Sequence, residues 1–256
     1  MILIWFFILG LVVGSFVNVL VFRLHLKESI IKGRSKCPSC GHQLAVKDLI
    51  PVISFILLKG RCRYCNNLIS WQYPLVELGV AILFTITGFY HFKSIFFSEI
   101  NFFLLVRDLL AVSMLVAIFI YDLRFMEIPD EISLPTIIIC FLLGIFGGLD
   151  WQIMLTSSFI GLSFFLMQYL ISNGKWIGGG DLRLGFLMGV LLNWTSLIFA
   201  IFLSYIIGSI FALWLLIIKK VGLKTPVPFG VFLVPATIFS MFFGQQIVDW
   251  YFNLLK

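Results

Sequence analysis

Charge is what this 256-residue chain has least of: Asp, Glu, Lys and Arg together make up 12% of it. Soluble domains carry about 25%. Apolar residues reach 61%, against roughly 45–50% in soluble domains. A soluble globule of this length cannot hide so much apolar surface, which excludes a cytosolic enzyme. The same composition excludes a secreted disulfide mini-protein, a coiled coil and a disordered tail. Lys and Arg are absent from the first 22 residues. A secretory signal needs a positive region before its apolar run, so none is expected here. No internal repeat is visible. A polytopic all-α membrane protein carrying one basic polar insert remains. The formal charge of +6 reads as positive-inside topology and attraction to anionic lipid, with no nucleic-acid partner expected.

A bilayer core takes about 20 apolar residues per helix. Eight stretches qualify as spans, near 2–22, 75–92, 102–121, 133–149, 151–172, 181–193, 196–218 and 229–248. The 181–193 stretch is short, and the turn Gly147-Gly148-Leu149-Asp150 is tight. No lipid-exposed strand is expected, because backbone groups in hydrocarbon must be satisfied locally. Nine of the 18 basic residues fall between Arg23 and Arg63, which places the N-terminus outside and this insert in the cytoplasm. With eight spans, Arg124, Lys175, Arg183, Lys219, Lys220 and Lys224 also face inward. Only Lys93, Arg107 and Lys256 then face outward, and both termini lie outside. The chain divides into a first span at 1–22, a polar insert at 23–74 and a membrane core at 75–256.

The insert holds Cys37-Pro38-Ser39-Cys40-Gly41 and Cys62-Arg63-Tyr64-Cys65-Asn66. A Cys-x-x-Cys turn aims two thiolates at one point, and two such turns complete a tetrahedral zinc site. Gly41 and Asn66 are the types that best tolerate the left-handed conformation needed after each pair. The reducing cytosol argues against disulfides. Haem attachment fails, since His42 falls one residue late for Cys-x-x-Cys-His. Four thiolates leave no open zinc position, so the site reads as structural. Between the pairs, residues 48–58 are too short to span. They either pack under the metal knuckle or lie at the membrane interface. Cys140 sits alone in an apolar span as a small core residue.

An acid in or beside a span is costly and marks a functional candidate. Asp122 follows Tyr121 at the inner end of the third span. Asp181 follows Gly178-Gly179-Gly180 at the inner start of the sixth. Two carboxylates brought together can share a proton, one acting as base on water while the other donates to a scissile carbonyl. The bland reading is that both are helix-boundary caps. The helix-dipole argument assigns Asp181, which opens a helix, as the base, and Asp122, which ends one, as holder of the shared proton. Asp130 and Glu131 read as caps, Glu77 as a first-turn acid, and Asp150 and Asp249 as outer-boundary residues. Asp108 can pair with Arg107 or face an outer vestibule.

In order along the chain stand Gly14-Ser15-Phe16-Val17-Asn18-Val19 with Arg23, the two Cys-x-x-Cys pairs and Tyr73-Pro74-Leu75-Val76-Glu77. Asp122, Ile128-Pro129-Asp130, Gly178-Gly179-Gly180-Asp181 and Val227-Pro228-Phe229-Gly230 follow. Together these resemble the bacterial prepilin peptidases, intramembrane aspartic proteases of the Gly-x-Gly-Asp type. The resemblance implies Asp122 and Asp181 as the catalytic pair. It implies type IV prepilins or pseudopilins as substrates, cut after a Gly to expose a Phe- or Met-like residue. It also implies methylation of the new N-terminus from S-adenosylmethionine, and Cys37, Cys40, Cys62 and Cys65 as the metal-type motif of the methylating branch, all in the bacterial inner membrane. Arg183 stands where members often have Lys. Competing readings are a protease without methylation, a presenilin-like protease, a proton-coupled transporter and a non-catalytic zinc-knuckle scaffold. The presenilin-like reading gains from Tyr121 but lacks a Pro-Ala-Leu motif.

Overall fold

The computed structural model describes residues 1–92, 102–218 and 227–254. Lys93, Lys219, Lys220, Lys224 and Lys256 lie outside the described residues. Among the described residues, regular structure is helical, with two isolated β-bridges and no strand. The helices are α1 (Ile2–His25), α2 (Ile53–Leu57), α3 (Gln72–Phe92), α4 (Phe102–Phe125), α5 (Asp130–Phe146), α6 (Trp151–Ser172), α7 (Gly179–Leu191), α8 (Trp194–Ile217) and α9 (Gly230–Leu254). Every predicted span falls on one of them. Six (α1, α3, α4, α6, α8 and α9) are long and apolar enough to cross a bilayer. The other two are shorter: α5 has 17 residues and α7 has 13. At 1.5 Å per residue they reach about 26 and 20 Å, against a core of about 30 Å. Large apolar side chains such as Ile4, Trp5, Ile138 and Phe202 are mostly exposed, as lipid-facing helices require. The chain is a multi-pass helical membrane protein.

The chain forms two compact units, residues 1–100 and 101–256. In the first, α1 lies against α3 along a seam of small residues. A Cβ on Gly10 would stand 2.5 Å from Ala81 Cα, and one on Gly14 would stand 2.7 Å from Glu77 Cα. Lipid supplies no hydrophobic drive between helices, so close backbone packing at a Gly-x-x-x-Gly step holds the pair together. Asn18, buried beside this seam, donates to the carbonyls of Gly14 and Tyr73 and accepts from Gln72 Nε2, each at 3.3 Å. Compactness thus places α3 with α1 and the insert.

In the second unit, Ala111, Val112, Leu115 and Ile118 of α4 and Leu184, Leu187 and Met188 of α7 are fully buried. The short α7 is covered by protein over most of its length, and a Cβ on Gly189 would meet Ser158 Cα of α6 at 2.3 Å. Such cover buries the apolar side chains of α7 against protein. Asp150 caps α6 by accepting from the Gln152 N–H at 2.8 Å, which closes the tight turn after α5. Arg107 donates to Asp108 at 2.9 Å, both buried, so Asp108 takes the pairing role. Cys140 is fully buried, a core residue as expected.

Candidate active site

Arg23 sets the start of the insert. It leaves α1 buried and donates to four carbonyls, those of Ser29, Ile30, Lys32 and Gly33, at 3.0–3.2 Å. The loop is thereby wrapped around one guanidinium. The two Cys-x-x-Cys turns that follow are built alike. In the first, Gly41 donates to the Cys37 carbonyl and Cys37 to the His42 carbonyl, both at 2.9 Å. In the second, Asn66 donates to the Cys62 carbonyl at 2.9 Å and Cys62 to the Asn67 carbonyl at 2.8 Å. Gly41 (φ 69°) and Asn66 (φ 58°) take the left-handed conformation that their types predict.

Folding brings the Sγ atoms of Cys37, Cys40, Cys62 and Cys65 within 4.8 Å of one another, with Cys37 and Cys65 at 3.9 Å. A tetrahedral thiolate site with bonds of about 2.3 Å has sulfur–sulfur edges of about 3.8 Å. The cluster therefore has the dimensions to hold a metal ion. Asp48 ties the segment between the pairs to the second knuckle. It accepts from Arg63 Nε at 2.7 Å, from the Tyr64 hydroxyl at 3.0 Å and from the Ala45 N–H at 3.2 Å. Desolvation pulls its carboxyl upward, but the bonds from Arg63, Tyr64 and Ala45 win and hold it below the usual carboxylate range. The rings of Tyr64 and His42 lie 3.7 Å apart, joining the second turn to the first.

The second unit holds the two aspartates. Asp122 sits one turn before the end of α4, and Asp181 lies in the first turn of α7. Both are buried, at 4% and 8% exposure. They line one cavity of about 260 Å³, with Met126, Glu127 and Ile128 on the α4 side and the three glycines on the α7 side. Asp181 also accepts from the Gly178 N–H at 3.1 Å. The N-cap of α7 is Gly178 rather than Asp181, and Asp181, at the third position, bonds back to it while lining the cavity.

The start of α9 completes the site. Asp122 accepts from the Val231 N–H at 3.2 Å, so it too faces a helix N-terminus. That weakens the helix-dipole argument for separate roles, because Asp122 meets the positive end of α9 as well as the negative end of α4, while Asp181 meets the positive end of α7. Phe229 fixes the approach of α9, its ring 4.9 Å from Tyr205 and 6.4 Å from Phe165. Gly230 then lies so near Asp122 that a Cβ would stand 2.7 Å from Oδ2. Gly180 is equally confined, 2.7 Å from Ile128 Cβ. Gly230→Ala is expected to displace the Asp122 carboxylate and lower the activity of the site at least tenfold, with helical content unchanged by circular dichroism. A fully active alanine variant would mean that Asp122 needs no cradle.

Sequence reasoning missed Glu127, Met126 and the α9 amides. Met126 closes α4 in the left-handed conformation (φ 55°), and no residue-type signal announced it. Glu127 was an unassigned acid five residues after Asp122, which was the available signal. Asp130 was expected to cap α5, but the N-cap is Pro129, and Asp130 accepts from Arg183 instead. Glu77, read as a first-turn acid, accepts from the Val52 N–H at 2.8 Å and ties the insert to α3.

Fold and site together define a class: a multi-pass helical membrane protein with a paired-aspartate cavity in one unit and a four-thiolate knuckle in another. Residues 8–92 match the bacterial peptidase A24 N-terminal domain, and residues 109–213 match the type IV leader peptidase family. A prepilin leader peptidase/N-methyltransferase of Bacillus subtilis is 30% identical over 250 residues, covering 97% of each chain. Its namesake in Pseudomonas aeruginosa is 29% identical over 273 residues, covering 95% of this chain and 91% of that one. The protein of the same name in Myxococcus xanthus is 33% identical over 219 residues, 84% of this chain and 63% of that one. No solved structure matches. The chain belongs to the type IV leader peptidase family.

Proposed function

We propose that this protein removes the basic leader of type IV prepilins or pseudopilins at the cytoplasmic face of the bacterial inner membrane, and then methylates the new N-terminus. The observation that carries the first activity is the meeting of Asp122 and Asp181 in one cavity at the ends of their helices. One carboxylate takes a proton from water, whose oxygen attacks the scissile carbonyl while the other carboxylic acid protonates the carbonyl oxygen. Collapse of the tetrahedral intermediate breaks the C–N bond, and the departing amine takes up a proton from the pair. The names of the relatives support methylation, with S-adenosylmethionine supplying the methyl group. Cys37, Cys40, Cys62 and Cys65 fit a structural zinc ion, which would hold the two turns together. The eight-span reading, with α5 and α7 as short members, keeps both termini outside and the insert in the cytoplasm.

The test is co-expression with a prepilin, followed by the intact mass of the product. We expect loss of the leader after a Gly and, separately, the mass of one methyl group. A product beginning several residues inside the apolar run would favour the presenilin-like mode of cutting. An unprocessed prepilin would overturn the proposal.

A further inference from the structure

Single apolar side chains such as Ile31, Val46 and Leu68 are exposed elsewhere in the insert, but residues 49–57 carry a run of them. Ile53, Ile56 and Leu57 of α2 are 53%, 66% and 74% exposed, and Leu49 and Ile50 beside them are about 40% exposed. The sequence left this segment undecided between packing under the knuckle and lying on the membrane. Its attachment to α3 decides between them. The Val52 N–H donates to Glu77, the sixth residue of α3. That places the start of α2 about 7.5 Å along α3 from its first residue. The 21 residues of α3 reach about 31 Å, close to the ~30 Å of a bilayer core. With α3 spanning a bilayer over this length, residue 72 falls near the edge of the hydrocarbon and Val52 deeper than it.

Two further features fix this placement. Val52 is held at φ 59°, a conformation that a β-branched residue adopts only under constraint. Its amide is the one bonded to Glu77. The ring of Phe55 lies 4.9 Å from that of Trp71, a largely exposed residue just before α3, and Trp belongs at the headgroup level. Exposed basic residues Lys47, Lys59 and Arg61 flank the apolar face. The acids nearby are engaged, Asp48 with Arg63 and Glu77 with Val52.

We infer that residues 49–57 form an interfacial wedge. In it, Ile53, Ile56 and Leu57 of α2 sit among the outermost acyl segments of the bilayer, and Lys47, Lys59 and Arg61 lie at anionic headgroups. An apolar face buried 5–10 Å below a basic rim is the pattern of a monotopic membrane anchor. The wedge holds the insert against the membrane independently of what the insert does. The inference needs only that α3 spans a bilayer and does not depend on the proposed activities.

The test is photo-crosslinking of the full-length protein in nanodiscs containing phosphatidylcholine with or without phosphatidylglycerol. Ile56→p-benzoylphenylalanine is compared with Ile82→p-benzoylphenylalanine, a half-exposed position on α3 itself. Monodisperse elution and an unchanged helical spectrum establish folding. Lipid adducts are expected at Ile56 in yields comparable with Ile82 and rising with phosphatidylglycerol. With Ile82 reactive, an absence of lipid adducts at Ile56 would overturn the wedge. So would crosslinks from Ile56 to this chain, to a second copy or to a prepilin. Yields indifferent to phosphatidylglycerol would overturn its electrostatic half.

Discussion

Asp122→Asn and Asp181→Asn should each reduce leader cleavage at least a thousandfold, and the double variant should be scarcely worse than either. A positioned acid or base contributes about 10²–10⁴ in rate. Groups that act as a unit fail together, so their losses do not add. The substitutions suit the test because they preserve the local bonding. An Asn at 181 can still accept from the Gly178 N–H, and one at 122 can still accept from the Val231 N–H. A lost cap therefore cannot account for lost activity. The measurement is cleavage of a prepilin by the purified variants in nanodiscs, read by mass. Cleavage above about a tenth of the normal rate in either single variant would remove that residue from the chemistry. Additive losses would mean that the two act separately.

Cys37→Ser with Cys40→Ser should abolish metal binding, release the insert and stop methylation while leader cleavage continues. Purified protein should carry one zinc ion per chain, and the variant close to none. Structural zinc binding is worth about 10–16 kcal/mol in small domains and is coupled to their folding. Losing two ligands should therefore unfold the two turns far more than losing an ordinary contact would. Limited proteolysis should then cut within residues 37–65 in the variant only. Cleavage should persist because the aspartates are held by α4, α7 and α9 in the other compact unit. Freshly prepared, unchelated protein without metal would sink the zinc assignment. Loss of cleavage along with methylation would sink the division of labour.

What the sequence revealed followed from cost. An acid beside an apolar span is expensive, so Asp122 and Asp181 stood out although 58 residues lie between them. The left-handed turns at Gly41 and Asn66 were legible because few residue types adopt that conformation. Partners reached through the backbone were not legible. Nothing in the letters says that Val231 offers its amide to Asp122, that Val52 offers its own to Glu77, or that Asp48 takes Arg63 and Tyr64 at once. Helix limits were found to within a few residues. The shortness of α7 was visible, but its protein cover was not, because burial within a bundle and exposure to lipid both select apolar residues.

The bond from Val231 to Asp122 joins residues 109 positions apart. During synthesis both aspartates are made and can be inserted before the first turn of α9 leaves the ribosome. A half-made chain thus holds both acids without the amide that seats one of them. On the proposed chemistry, proteolytic competence would arrive with the last helix, and an interrupted translation product would be inert in the bilayer.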